Sequence, residues 1–202
     1  MWAAIGSLSE DRVLLNEMKT RAAILFSAKD DDLRLPEGFE DFSAGLSVFA
    51  VGETPTDPGD LWAFIDLGTA GQGTSGMKIA LGRVRESEQV VYSVEDLQFQ
   101  MRPFVEAMPP GKGFEGISAI QDASKMVRLY KRGQPLANGT LLVPRKVNRK
   151  INRVGANFKG QLAEILLYKR SLSELERIGV EAYLKDRYFP GGAAAAPPAE
   201  KR

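Results

Sequence analysis

The stretch FKGQLAEILLYKRSLSELERIGVEAYLKDRY, Phe158 to Tyr188, decides the architecture. Gln161 to Tyr168 is a short, largely aliphatic run ending in tyrosine, and it reads as a strand. Ser171-Leu172-Ser173-Glu174 then matches a capping box, with Glu174 three residues after Ser171; Ser173 and Glu176 offer a second register of the same box. Leu175, Ile178, Ala182 and Leu184 form an apolar stripe at helical spacing. The pattern predicts a helix to about Arg187, laid on a sheet by that stripe and stopped before Pro190.

Outward from this stretch the signals are those of strands. Arg21 to Phe26, Leu33 to Leu35, Leu46 to Val51, Leu61 to Leu67, Met77 to Leu81 and Val90 to Tyr92 are short apolar or alternating runs. Phe114 to Ile120, Lys125 to Lys131, Pro135 to Val143 and Ile151 to Gly155 continue the series. Turn signals separate them: Asp122-Ala123-Ser124, Lys131-Arg132-Gly133, and Asn138-Gly139 as a turn or bulge. Many short strands at close spacing predict an all-β sandwich or barrel. Gly68 to Met108 shows no clear pattern beyond its two strand runs and carries four glycines before Met77, a composition suited to loops.

The ends differ from the middle. Met1 to Thr20 reads as an N-terminal arm or a short helix capped by Ser9, with Leu14 and Met18 on one face. Residues 21–189 form the sandwich domain, and the Ala- and Pro-rich segment 190–202 reads as a disordered tail.

Composition narrows the chemistry. The 202 residues contain no cysteine and no histidine. Disulfides, thiolate metal sites, His-ligated metals and triads built on histidine are therefore excluded. The formal net charge of +1 provides no global field toward nucleic acid or membrane. No apolar run is long enough for a membrane-spanning helix, and the first residues lack the pattern of a signal peptide.

Three segments together resemble a known family: AAILFSAKDDDLRLP leading into GLSVFAVGE, GISAIQDASKMVRLYKRGQPL, and the Phe158–Tyr188 stretch. They are similar to the bacterial laminin-G-like (LamG) branch of the concanavalin A-like lectin/glucanase superfamily. In that branch a hairpin reads Tyr-x-x-Gly, a last strand carries Gly-x-x-Ala-Glu, and a Leu-Ser capped helix closes the domain. The resemblance implies a two-sheet antiparallel jelly-roll sandwich with a concave face and a C-terminal helix. It also implies an extracytoplasmic or surface-associated location, and ligands ranging from sugars to proteins. Arg132 stands where the family often has Asn before the hairpin glycine.

Candidate sites follow from charge and aromatics. Pro144 to Arg170 holds eight basic residues and one acid, Glu164, a local excess of +7 on a chain whose total is +1. Arg145, Lys146, Arg149, Lys150 and Arg153 concentrate it, either as a solvated face or as a contact patch for an acidic protein partner, an anionic glycan or lipid headgroups. Aromatic residues do not interleave with these bases, which argues against nucleic acid. Trp2 and Trp62 are candidate aromatic contacts, although the apolar surroundings of Trp62 favour the core. Asp30 and Asp32 are candidate calcium ligands in a charged turn. Catalytic members of the superfamily carry a Glu-x-Asp-x-x-Glu run, and none is present; Glu86 and Glu88 lie in polar, irregular surroundings. Glu164, in the aliphatic strand, is expected to be structural. The expected function is a non-catalytic module that binds a glycan or protein through loops or the concave face. The alternative is an accessory or decorating subunit of a larger assembly, with a glycosidase behind both.

Overall fold

The computed structural model describes residues 23–27, 31–53, 62–68, 78–83, 89–95, 104–107, 114–144 and 146–189. These residues form β1 (Ile24–Phe26), β2 (Leu33–Leu35), β3 (Leu46–Glu53), β4 (Trp62–Gly68), β5 (Lys78–Arg83), β6 (Gln89–Glu95), β7 (Phe104–Ala107), β8 (Glu115–Gln121), β9 (Met126–Lys131), β10 (Gln134–Thr140), β11 (Ile151–Val154), β12 (Gly160–Tyr168) and α1 (Glu174–Tyr188). Two six-stranded sheets result, in the orders β1-β12-β3-β8-β9-β10 and β2-β11-β4-β5-β6-β7. Every pairing is antiparallel. The all-β sandwich with a C-terminal helix read from the sequence is the observed fold.

Side-chain alternation explains both the core and the faces. In β9, Val127 and Leu129 are buried between the sheets and Arg128 is exposed. β3 is apolar almost throughout because both its faces are covered. Val48 and Ala50 face the second sheet, while Phe49 and Val51 lie in a separate cluster with Leu172 and Leu184 at the helix. At about 1.5–3 kcal/mol per large buried side chain, both layers contribute substantially. Phe158 joins the two sheets at one end of the core between them, packing edge-on to Phe26 and tilted against Phe64, with ring centroids 5.7 and 5.4 Å apart. Across the core the Tyr92 hydroxyl of β6 donates to Gln121 Oε1 of β8 at 2.8 Å, and Gln121 Nε2 donates to the Leu142 carbonyl at 2.9 Å. Burial pushes the Tyr92 phenol far up, so it stays a neutral donor.

The helix departs from the sequence reading in two ways. Its N-cap is Ser173, paired reciprocally with Glu176, so the second capping register forms and the Ser171/Glu174 register does not. Its docking face is also different. Arg177 and Leu184 are buried, with Val180 and Tyr188 packed beside them, whereas Leu175 is 82% exposed, Ile178 46%, and Ala182 also faces water. The reason lies in the sheet beneath. The Arg177 guanidinium sits 3.9 Å from the Tyr130 ring centroid and pairs with Glu174 and Glu181. Glu181 in turn accepts from Ser118 Oγ at 2.7 Å. A satisfied polar network thus takes the place that the aliphatic stripe was expected to fill.

Two smaller differences concern strands. Asn138 and Gly139 pair regularly with Arg128 and Val127, and the irregularity in β10 falls between Pro135 and Ala137. β7 lies within the stretch where no pattern was legible. The N-terminal arm, the Gly68–Gly76 glycines beyond Gly68, Glu86, Glu88 and the 190–202 tail lie outside the described residues.

Candidate functional site

On β4, Ile65 and Leu67 point into the core, so Asp66 between them points to the outer face of the second sheet. The same alternation places Arg34, Arg153, Ala80 and Ser93 on that face. Register aligns them in one row: Arg34 opposite Arg153, Arg153 opposite Asp66, Asp66 opposite Ala80, and Ala80 opposite Ser93. Lys78 stands two residues from Ala80 on the same face.

Asp66 is only 3% exposed and binds two cations: Arg153 Nη2 at 2.9 Å and Lys78 Nζ at 3.4 Å. Arg153 Nη1 also reaches Asp32 Oδ2 at 3.5 Å. These two acids balance Arg153 and Lys78. Arg34 remains exposed, with no carboxylate paired to it among the described residues. It stands directly across from a second arginine, an arrangement that opposes pairing of the strands by roughly 0.2–1 kcal/mol. An anion lying across both guanidiniums removes that repulsion and gains charge-assisted hydrogen bonds.

The five-residue basic run does not stay together. Arg149 is fully buried, which corrects its assignment to a surface patch. Its backbone forms a bridge with Gly38, and its Nη1 donates to the carbonyl oxygens of Phe39 at 2.5 Å and of Glu40 and Val147 at 3.4 Å, with the guanidinium over the Phe42 ring. Carbonyl dipoles, rather than solvent, hold that charge. Lys146 is exposed and lies 3.6 Å from Asp41. Lys150 is exposed immediately before β11, at the end of the second sheet, and Arg153 is in the row. Arg145 lies outside the described residues.

Of the other candidates, Trp62 begins β4 but its side chain is outside the described residues, as are Trp2 and Asp30. Asp32 is engaged with Arg153. Among the described residues no group of three potential metal ligands gathers. Glu164 accepts from the Tyr183 and Tyr188 hydroxyls at 3.0 and 2.9 Å and faces Arg187, tying β12 to α1. That is the structural role expected for it.

Sequence reading missed Arg34, Asp66 and Lys78. The signal was a lone charged residue inside an apolar strand: LRL at Leu33–Leu35 and WAFIDLG at Trp62–Gly68.

No protein-family model and no curated protein matches the chain. Solved structures do. One is the CBM40 of a Ruminococcus gnavus IT-sialidase, with a TM-score of 0.57 and 13% identity over 75% of this chain and 97% of that one. The same domain bound to α2,3 sialyllactose gives 0.56 and 13% over 75% and 96%. A Trypanosoma rangeli sialidase in complex with sialic acid gives 0.59 and 16% over 82% of this chain but only 28% of that one. At these identities the likeness is one of fold, and its whole-domain counterpart is the CBM40 β-sandwich rather than a complete sialidase.

Proposed function

We propose that this chain is a non-catalytic recognition module that binds a glycan bearing an anionic group at the β2–β11 end of the outer face of the second sheet, where Arg34 is exposed, whereas Asp66, Ala80 and Ser93 farther along that face are buried. The observation that carries the reading is the pair of arginines, Arg34 and Arg153, opposed on neighbouring strands with Lys78 beside them. A sugar carboxylate matches the planar fork of a guanidinium, and two forks side by side fix its orientation. Asp66 pins Arg153 from below, so little side-chain freedom is lost on binding. The fold likeness to a domain solved with sialyllactose makes sialylated glycans the first ligands to test. The laminin-G-like resemblance of the hairpin and closing helix agrees with a binding role.

A glycan array that spans sialylated, uronate-containing, sulfated and neutral sugars tests this. Binding confined to acidic glycans and weakened by salt is expected. Equal binding to neutral counterparts, or none across the acidic set, would count against it. Release of reducing sugar from a bound glycan would replace recognition by catalysis.

A further inference from the structure

β2 and β11 separate just past the arginine pair. Their ladder runs from Val154–Leu33 through Arg153–Arg34 to Asn152–Leu35, then resumes as a single bridge between Gly38 and Arg149. Pro36 explains the gap, because proline has no backbone N–H to give to a ladder. Asn152 braces it instead: its Nδ2 donates to the Pro36 carbonyl at 2.9 Å and to the Arg149 carbonyl at 2.8 Å. The residues on both sides of the gap are exposed, Pro36 and Glu37 on one and Lys150 and Ile151 on the other.

Alternation along β11 decides where Ile151 points. Asn152 and Val154 turn inward, so Ile151 and Arg153 share the outer face, about 7 Å apart along the strand. Arg34 lies diagonally across from Ile151 at a similar distance. On the opposite flank Ile151 pairs with Gly68, which has no side chain to cover it. Ile151 is 43% exposed, and among the described residues it is the one large apolar side chain of the second sheet that is exposed. Scattered apolar residues are ordinary on a surface. This one stands beside the arginine that the chain leaves uncompensated, on a stretch fixed by the Asn152 amide and the buried Arg149.

We propose, on the reading of Arg34 and Arg153 as the seat of an anion, that Ile151 is the second contact of that site and that the ligand is an acidic sugar carrying a small apolar substituent, such as an acyl methyl, near its acidic group. The acid lies across the two guanidiniums and the substituent lies against Ile151. A whole sugar ring would need a broad flat surface such as an aromatic side chain offers, and the second sheet shows no exposed aromatic among the described residues. A branched aliphatic side chain matches a methyl. Covering one methyl on a half-exposed side chain is worth about fivefold in affinity. Ile151 thus selects among acidic glycans, whereas the arginines select for acid.

Isothermal titration of the full chain with α2,3-sialyllactose, and with its counterpart bearing a hydroxyl in place of the acetamido group, tests this, because the two sugars carry the same carboxylate. The parent should prefer the acetamido form about fivefold. Ile151→Thr keeps the β-branch and should bring the ratio of the two dissociation constants close to one, while Ile151→Val should keep most of the preference. Arg34→Ala should weaken binding of both sugars together. Equal affinities in the parent, or a preference that survives Ile151→Thr, overturns the second contact and leaves the anion reading standing. If neither sugar binds, the anion reading fails and the role of Ile151 fails with it.

Discussion

Arg34 and Arg153 stand directly opposite each other on neighbouring antiparallel strands, on the same face of the second sheet. Asp66 and Asp32 compensate Arg153 but not Arg34. Arg34 is the cation left over for the anionic group proposed above. Arg34→Ala is therefore expected to raise stability by about 0.5 kcal/mol and to lower affinity for an acidic glycan at least tenfold. Denaturant unfolding and a binding titration on the same sample check both halves. A destabilised variant with unchanged binding would make Arg34 purely structural.

Arg149 poses the opposite case. It is buried among carbonyl oxygens contributed by two loops that bridge at Gly38. Arg149→Met keeps much of the volume but strands those acceptors. A loss of about 2–4 kcal/mol is expected, with glycan binding changed only as far as folding is. Urea unfolding measures it, and a neutral outcome would show that the carbonyls find water instead.

The helix start is sensitive to acid. Arg170 and the hydroxyl and backbone N–H of Ser173 hold the Glu176 carboxyl down at about 2, against an ordinary value of 4.5. Folding thus favours the ionised form. Its contribution is complete above pH 4.5 and drains away as pH falls toward 2. Glu181 acts in the opposite sense, because burial raises its carboxyl. Melting temperature followed from pH 5 to pH 2 should fall less steeply in Glu176→Gln than in the parent chain. Independently, Ser173→Ala should cost about 1 kcal/mol at neutral pH. Parallel pH curves for parent and Glu176→Gln would remove the capping account.

Two glycines separate by environment. Gly155 has φ +76°, and a Cβ there would lie 2.2 Å from the Phe26 ring. Gly155→Ala should destabilise by about 2–4 kcal/mol through strain and overpacking. Gly179→Ala, with open space around it, should stabilise the chain by about 1 kcal/mol. Thermal melts of the two variants side by side test the contrast, and equal effects would contradict it.

The sequence made the sandwich legible because its strands are short, apolar and separated by turn residues, and the capping residues of Ser171-Leu172-Ser173 marked the helix start within two residues. The docking face of α1 was not legible. Leu175 and Ile178 look like core residues at helical spacing, but the sheet presents Tyr130 and Ser118, which favour Arg177 and Glu181. The proposed face was hidden for a related reason. Linear clustering drew attention to Arg145 through Arg153, yet strand register brings Arg153 beside Arg34 and Asp66, residues far from it in the chain, and loop geometry turns Arg149 inward. A charge run records neighbours along the backbone, whereas a sheet surface is assembled across strands.

Recognition of an acidic glycan by the second sheet is checked by titrating the isotope-labelled chain with α2,3-sialyllactose and, separately, with lactose, while backbone amide shifts are followed. The sialylated sugar should perturb β2, β11 and β4 around Arg34, Arg153 and Asp66, lactose should leave them unmoved, and Arg34→Ala should erase the response. Shifts that are equal for both sugars, or that gather along α1 and β12 instead, would contradict recognition by the second sheet.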